Sequence, residues 1–80
     1  MQTLEQYLIS RIRRYNRMNY QMGYVAADEC VYGLAELIPL AEYAGRFDIK
    51  DALRKKVEKL RELLLEKDKP GFGHKFSEAL

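Results

Sequence analysis

The chain offers few side chains that could carry out catalysis. Cys30 is its only cysteine and His74 its only histidine, and the two lie far apart in the sequence. A nucleophile needs a base held beside it, so we predict neither a Ser-His-Asp nor a Cys-His arrangement. We expect Cys30 to be a buried free thiol and His74 to be solvated. The sequence therefore predicts a protein that is not an enzyme.

Metal and cofactor sites are not predicted either. Glu29, Glu36 and Glu42 are spaced seven and six residues apart, and the Glu-x-x-His pattern of metal-binding helical bundles is absent. The glycines do not form a phosphate-binding loop. A single cysteine provides no disulfide framework and no cysteine-based metal site, which points to a reducing compartment. We expect a protein without metal or cofactor.

The run RIRRYNR at residues 11–17 is a candidate nucleic-acid contact. Arg13 and Arg17 lie one helical turn apart, as do Arg14 and Arg17, whereas Arg11 lies to one side. Clustered arginines beside a tyrosine can neutralise phosphates and stack on bases. The alternative is a basic face that is solvated or paired within the protein.

The net charge of +2 conceals three segments of alternating sign. Residues 1–25 contain one acid and four bases, residues 26–51 six acids and two bases, and residues 52–69 four acids and seven bases. A negative segment between two positive ones suits a bundle in which the middle helix meets both neighbours. This neutralisation within the protein weakens the case for nucleic acid.

The first helix is expected to begin at Thr3, which forms a capping box with Gln6. Apolar or small residues then recur every three or four positions, which predicts one helix face. These positions are Leu4, Leu8, Ile12, Tyr15, Asn19 and Met22. The pattern continues in phase through Ala26, Cys30, Gly33, Leu37, Leu40 and Ala44.

Gly23 decides between two architectures. Either the chain turns there, as glycines after helices often allow, or a single helix passes through it. The uniform phase favours a helical region over about 3–44, continuous or merely kinked at Gly23. Pro39 predicts a further kink near residues 35–39 or a helix that restarts there.

A last helix is predicted over residues 48–67, packed antiparallel on the first region. Gly45 should end the preceding helix, Asp48 should be the N-cap, and Phe47 should form a hydrophobic staple with Ala52. Ile49, Leu53, Val57, Leu60 and Leu64 form its predicted buried stripe. We expect one domain over residues 1–69 and a flexible tail over residues 70–80, unless Phe72 and Phe76 dock.

The segment from Met22 to Ala44 is apolar on two sides, which a single antiparallel neighbour cannot cover. Its second apolar side carries Tyr20, Tyr24, Val31, Ala35 and Ile38. A turn at Gly23 would give a monomeric three-helix bundle, and continuity would give a four-helix bundle from two copies. The favoured continuity therefore predicts an all-α homodimer. Tyr24, Tyr32 and Tyr43 are expected to be core or rim aromatics, with an exposed protein-binding anchor as the alternative.

The leading hypothesis is a helical interaction module, a small regulator, adaptor or inhibitor that binds a larger protein. Its predicted partner-binding residues are Tyr20, Tyr24, Val31 and Ile38. Compact helical proteins of this kind occur among phage and mobile-element accessory proteins, which is an analogy only. The alternative is a nucleic-acid-binding protein that uses Arg13, Arg14 and Arg17.

The expected location is the cytoplasm, without membrane contact. The N-terminal residues lack the apolar run of a signal peptide. No uninterrupted apolar run approaches the roughly 20 residues that a membrane-spanning helix requires.

Overall fold

The chain forms a small bundle of helices. The computed structural model describes residues 1–17 and 24–80, with the backbone alone at positions 24 and 25. It contains α1 (Leu4–Asn16), α2 (Tyr24–Tyr43), α3 (Phe47–Leu64) and α4 (Phe72–Ala79), and no strand occurs among the described residues. The predicted all-α bundle is confirmed.

Helix α1 packs antiparallel against α2. Its predicted capping box is present, with Gln6 N–H donating to Thr3 Oγ1 at 3.1 Å and Thr3 N–H donating to Gln6 Oε1 at 2.9 Å. Near the start of α1, Glu5 forms an ion pair with Arg46, which follows α2. Towards the other end of α1, Tyr15 lies against Gly33 in α2. The direction of the chain therefore reverses between the two helices.

The favoured single helix over about 3–44 is consequently wrong, because the chain reverses its direction between α1 and α2. Residues 15 and 33 of one straight helix would lie about 27 Å apart at 1.5 Å per residue, which excludes their contact. The spacing of apolar residues shows which face of a helix is apolar. Two helices packed on each other through their apolar faces have the same spacing as one long helix, so the spacing does not distinguish them. The conformation of Gly23 itself lies outside the described residues.

Helix α2 occupies the centre of the bundle, with α3 antiparallel on its other side. Ion pairs join Asp28 to Lys67 at 3.9 Å and Glu42 to Lys50 at 3.3 Å, near the two ends of the α2–α3 pair. The α2 residues in the core are Ala26, Ala27, Cys30, Val31, Leu34, Leu37 and Ala41. Because α1 and α3 cover both apolar sides of α2 within one chain, a second copy is not needed for that purpose. The homodimer stays a prediction.

Helix α2 continues through Pro39 to Tyr43 and does not restart there. Pro39 has no N–H group, so the carbonyl oxygen of Ala35 lacks its usual helical donor. The helix ends as predicted at Gly45, whose φ of 72° is left-handed. Gly45 N–H donates to the carbonyl of Glu42 at 3.0 Å, and Arg46 N–H donates to that of Ala41 at 2.9 Å. These two hydrogen bonds form a Schellman motif.

The start of α3 differs from the prediction. The N-cap residue is Arg46, and Asp48 lies within the first turn. The Asp48 carboxylate accepts hydrogen bonds from Arg46 Nε at 3.1 Å and from Nη2 at 2.9 Å, and this bonding lowers the pKa of Asp48 to about 2. Phe47 and Ala52 are exposed, so the predicted staple is absent, and Lys50 Nζ lies 5.8 Å from the Phe47 ring centroid instead.

Helix α3 buries its predicted stripe at Leu53, Val57 and Leu60 and ends at Leu64, before the predicted residue 67. Gly71 then adopts a left-handed φ of 82°, and α4 follows. Beyond residue 69 the chain forms a helix that packs on α3, which is the docking predicted as the exception to a flexible tail.

Two phenylalanines attach α4 to the bundle. Phe72 and Phe76 are both buried, with ring centroids 5.6 Å apart. At the end of the helix, Lys56 Nζ donates to the carbonyl oxygen of Leu80 at 2.8 Å. Burying each phenylalanine contributes about 1.5–3 kcal/mol, which offsets part of the entropy cost of ordering eight residues. The hydrophobic core thus includes two residues of α4.

Candidate interaction surfaces

Cys30 is buried beneath α1. Its Sγ lies 3.8 Å from the carbonyl oxygen of Tyr15, and burial raises the pKa of its thiol to about 11. A thiol with that pKa is protonated at neutral pH and is a poor nucleophile. The prediction of a buried free cysteine is confirmed.

His74 lies on the surface of α4. Its Nε2 is 2.9 Å from Oε1 of Glu78, four residues along the helix, and both side chains are mostly exposed. The sequence contains the i, i+4 spacing of His74 and Glu78, but this spacing predicts a contact only if the segment is a helix, and no helix is predicted there. Within the described part of the chain, no three His, Cys, Asp or Glu side chains come together as a metal site.

Of the four predicted partner-binding residues, the structure describes the side chains of Val31 and Ile38, and neither is exposed. Tyr20 and the side chain of Tyr24 lie outside the described residues. Val31 is 4% exposed, and Ile38 is partly buried against the core. Both belong to the second apolar side of α2. The sequence identified this side as apolar, and in the structure its buried residues serve internal packing.

The exposed side of α2 is a different one, which we call the tyrosine face. Its members are Asp28, Glu29, Tyr32, Glu36, Pro39, Glu42 and Tyr43, all of them exposed. Tyr32 is 73% exposed and Tyr43 is 85% exposed. The face extends about 22 Å along the helix at 1.5 Å per residue.

The tyrosine face is acidic, because α2 contains four acidic residues and no lysine or arginine. Two of the acids form ion pairs: Glu42 with Lys50 of α3, and Asp28 with Lys67, which follows α3. Glu29 and Glu36 form no ion pair with any residue that the structure describes. Beside Glu36, a shallow hollow of about 280 Å³ is lined by Tyr32, Ala35, Glu36 and Arg61.

A second surface, the arginine face, lies on α1. Arg13, Arg14 and Arg17 are exposed and line an open hollow of about 380 Å³ together with Ser10. None of the three arginines forms an ion pair within residues 1–17 and 24–80. The structure thus brings together the three arginines singled out in the sequence. Ser10, one turn earlier, was missed there.

Arg11 is separate from the arginine face, as its position in the helix predicted. Its Nη2 donates to Tyr15 Oη at 3.0 Å, and its guanidinium lies 5.3 Å from the centroid of the Tyr15 ring. The Arg11 guanidinium is therefore engaged within α1.

A third hollow, of about 420 Å³, lies between α3 and α4. Its lining residues are Lys59, Leu63, Lys75, Glu78 and Ala79. The sequence could not indicate this hollow, because one of its walls is the unpredicted helix α4.

None of the helices in the described ranges combines the length and the apolar composition that crossing a bilayer requires. The geometry instead presents two charged surfaces of opposite sign, one on α1 and one on α2. No protein-family model matches the chain, and no curated protein or solved structure shows significant similarity to it.

Proposed function

We propose that this chain is a non-enzymatic helical interaction module, a small regulator, adaptor or inhibitor, and that it binds a larger protein through the tyrosine face. One observation carries the proposal. Tyr32 and Tyr43 are both largely exposed on a helix whose other sides are buried by α1 and α3.

Tyrosine suits such a role because its ring provides a large contact area while only two side-chain torsions are immobilised on binding. Tyrosines are also enriched among the residues that contribute most to protein–protein affinity. Helix α2 holds both rings on one rigid element, since most of its remaining side chains are packed in the core. The buried, protonated Cys30 supports binding over catalysis as the role of the chain.

The first test is the double variant Tyr32→Ala/Tyr43→Ala. Proteins retained by the immobilised wild-type chain from an extract of the source cells would be identified by mass spectrometry. Each purified candidate would then be titrated calorimetrically. We expect the double variant to bind the partner about 30-fold or more weakly, because each truncated tyrosine removes about 1 kcal/mol or more.

Tyr7→Ala is the matched control. Tyr7 is exposed but lies on α1, outside the tyrosine face, so its removal should leave partner affinity within about twofold of the wild type. A partner that binds the double variant as tightly as the wild type would refute the proposed role of the tyrosine face.

A second candidate function, nucleic-acid binding, is favoured by the arginine face. Three exposed guanidinium groups without internal ion pairs can neutralise phosphates along a strand. The acidic tyrosine face would repel the negative phosphates of a nucleic acid, which disfavours this second candidate.

Fluorescence anisotropy with single-stranded and duplex DNA and RNA separates the two candidates. If the arginine face is functional, the logarithm of affinity should fall with that of the salt concentration with a slope of about −2 to −3, as expected for three phosphate contacts. Arg13→Gln/Arg17→Gln should reduce that slope by about 1.5 to 2, whereas Arg54→Gln on α3 should not reduce it. Lack of binding at about 20 mM salt would eliminate this candidate.

A further inference from the structure

The tyrosine face and the arginine face of this chain carry opposite charges, and we propose that they bind one another between copies. The chain would then associate head to tail, with the arginine face of one molecule on the tyrosine face of the next. This inference rests on the proposed binding role of the tyrosine face and adds a second copy as an occupant.

The chemistry of the two faces is complementary. Glu29, Tyr32 and Glu36 lie at spacings of three and four on α2, so two carboxylates without ion pairs flank an exposed ring. Arginine can pair with a carboxylate through two hydrogen bonds and can stack on an aromatic ring. Arg13 and Arg17 lie one helical turn apart and can reach neighbouring groups of this set.

The molecule already contains one contact of this kind. Within α1, the Arg11 guanidinium lies over the ring of Tyr15. The proposed interface repeats that contact between molecules, with Tyr32 as the ring. Such contacts are individually weak at exposed sites, so several must act together and the association should be weak.

The two faces cannot meet within one molecule. Helix α1 packs on α2 through Leu8, Ile12 and Tyr15, which leaves the arginine face on the outside of the bundle. The tyrosine face lies on the exposed side of α2 and borders α3, since its Asp28 and Glu42 pair with Lys67 and Lys50. Complementary surfaces that cannot meet within one chain are free to meet between chains.

Because the two faces differ, the interface is heterologous. A pair of molecules joined in this way still has one free tyrosine face and one free arginine face, so growth continues into longer chains or a ring. This distinguishes the proposed assembly from the symmetric homodimer that the sequence predicted. Exposed charges form the interface, so salt should weaken it.

Sedimentation velocity of the full chain is the first measurement. At about 20 mM salt and about 0.5 mM protein, the weight-average mass should exceed twice the monomer mass of 9.4 kDa. At about 0.5 M salt it should return to that of the monomer. Wild-type protein that is monomeric at low salt, or association that persists unchanged at high salt, would overturn the proposal.

Two variants then test which faces meet. Tyr32→Ala/Glu36→Gln lacks the tyrosine face, and Arg13→Gln/Arg17→Gln lacks the arginine face. All four side chains are exposed, so both variants should keep the wild-type circular dichroism spectrum and thermal midpoint. Each variant alone should remain monomeric at low salt.

Mixing the two variants supplies one intact face of each kind. We expect a complex that contains one molecule of each variant and does not grow further. Tyr7→Ala/Arg54→Gln, altered at exposed positions outside both faces, should associate like the wild type. No complex in the mixture, or association of either variant alone, would overturn the proposal.

The outcome is separable from that of the proposed function. If the wild-type chain stays monomeric, and the Tyr32→Ala/Tyr43→Ala variant no longer binds the larger partner, only the self-association proposal is refuted. A chain that self-associates as described but binds its larger partner independently of both tyrosines would refute the proposed function alone.

Discussion

Replacing Phe76 with alanine is expected to lower the free energy of unfolding by about 3 kcal/mol. Phe76 is 0% exposed and contributes to the central core together with Phe72. Truncation removes the buried ring and leaves a cavity that the eight residues of α4 can collapse only in part. Urea unfolding followed by circular dichroism measures the change.

Amide hydrogen exchange should show where the change acts. An eight-residue helix is unstable by itself, so α4 depends on its contacts with the bundle. In Phe76→Ala, the amide protons of α4 should lose protection before those of α2 and α3. Phe76→Leu, which retains an apolar side chain, should cost about 1 kcal/mol and provides a stable variant for the same comparison.

Phe47→Ala is the matched control for this prediction. Phe47 is 57% exposed, and its described ring contact is with Lys50 at the surface. Its removal should therefore cost no more than about 0.5–1 kcal/mol. If Phe76→Ala and Phe47→Ala destabilised the protein equally, α4 would not be part of the core.

Features that depend on neighbouring residues were predictable from the sequence. The capping box of Thr3 and Gln6, the glycine stop at Gly45 and the buried stripe of α3 are all present. Each follows from residues a few positions apart, where side-chain chemistry and backbone geometry determine the result. The predicted N-cap at Asp48 is the exception. Arg46 is the N-cap instead, and its guanidinium binds the carboxylate of Asp48 in the first turn of α3.

The path of the chain between α1 and α2 was not predictable from periodicity. The α1 residues Leu8 and Tyr15 and the α2 residues Cys30 and Gly33 all face the α1–α2 contact, so a common helical phase arises in either architecture. Only contacts over a long sequence separation distinguish the two. The same limitation applies to α4, whose two buried phenylalanines were noted as possible anchors but could not be assigned a docking surface.

The two candidate surfaces also differ in whether they depend on neighbouring residues or on contacts between distant parts of the chain. The arginine face depends on the spacing within one helix, so the sequence could group its three arginines. The tyrosine face depends on which sides of α2 the neighbouring helices cover. Without that information, apolar character alone points to Val31 and Ile38, whereas Tyr32 and Tyr43 are exposed in the structure.

Gly33→Ala should destabilise the wild-type protein but stabilise a variant that lacks the Tyr15 ring. A Cβ atom on Gly33 would overlap Cζ and Oη of Tyr15, whose ring lies on the α2 backbone at this position. Displacing the ring loses about 2 kcal/mol of packing, whereas alanine in a helix gains about 0.5–1 kcal/mol over glycine. The expected net loss is about 1 kcal/mol.

In the Tyr15→Ala background, only the helical preference of alanine remains, so Gly33→Ala should raise the free energy of unfolding by about 0.5–1 kcal/mol. The difference between the two backgrounds, about 2 kcal/mol, is the coupling energy of a double-mutant cycle measured by urea unfolding. Gly73→Ala is the matched control. Gly73 also lies in a helix, but a Cβ atom there would meet open space, so this substitution should stabilise both backgrounds equally.

A stabilising Gly33→Ala in the wild-type background would show that Tyr15 does not pack on Gly33. The reversal of sign is informative because it cannot arise from helix propensity, which acts equally in both backgrounds. It would establish by experiment that α1 lies against α2 at these residues. Since that placement leaves the arginine face on the outside of the bundle, the cycle also tests the geometry on which the association between copies depends.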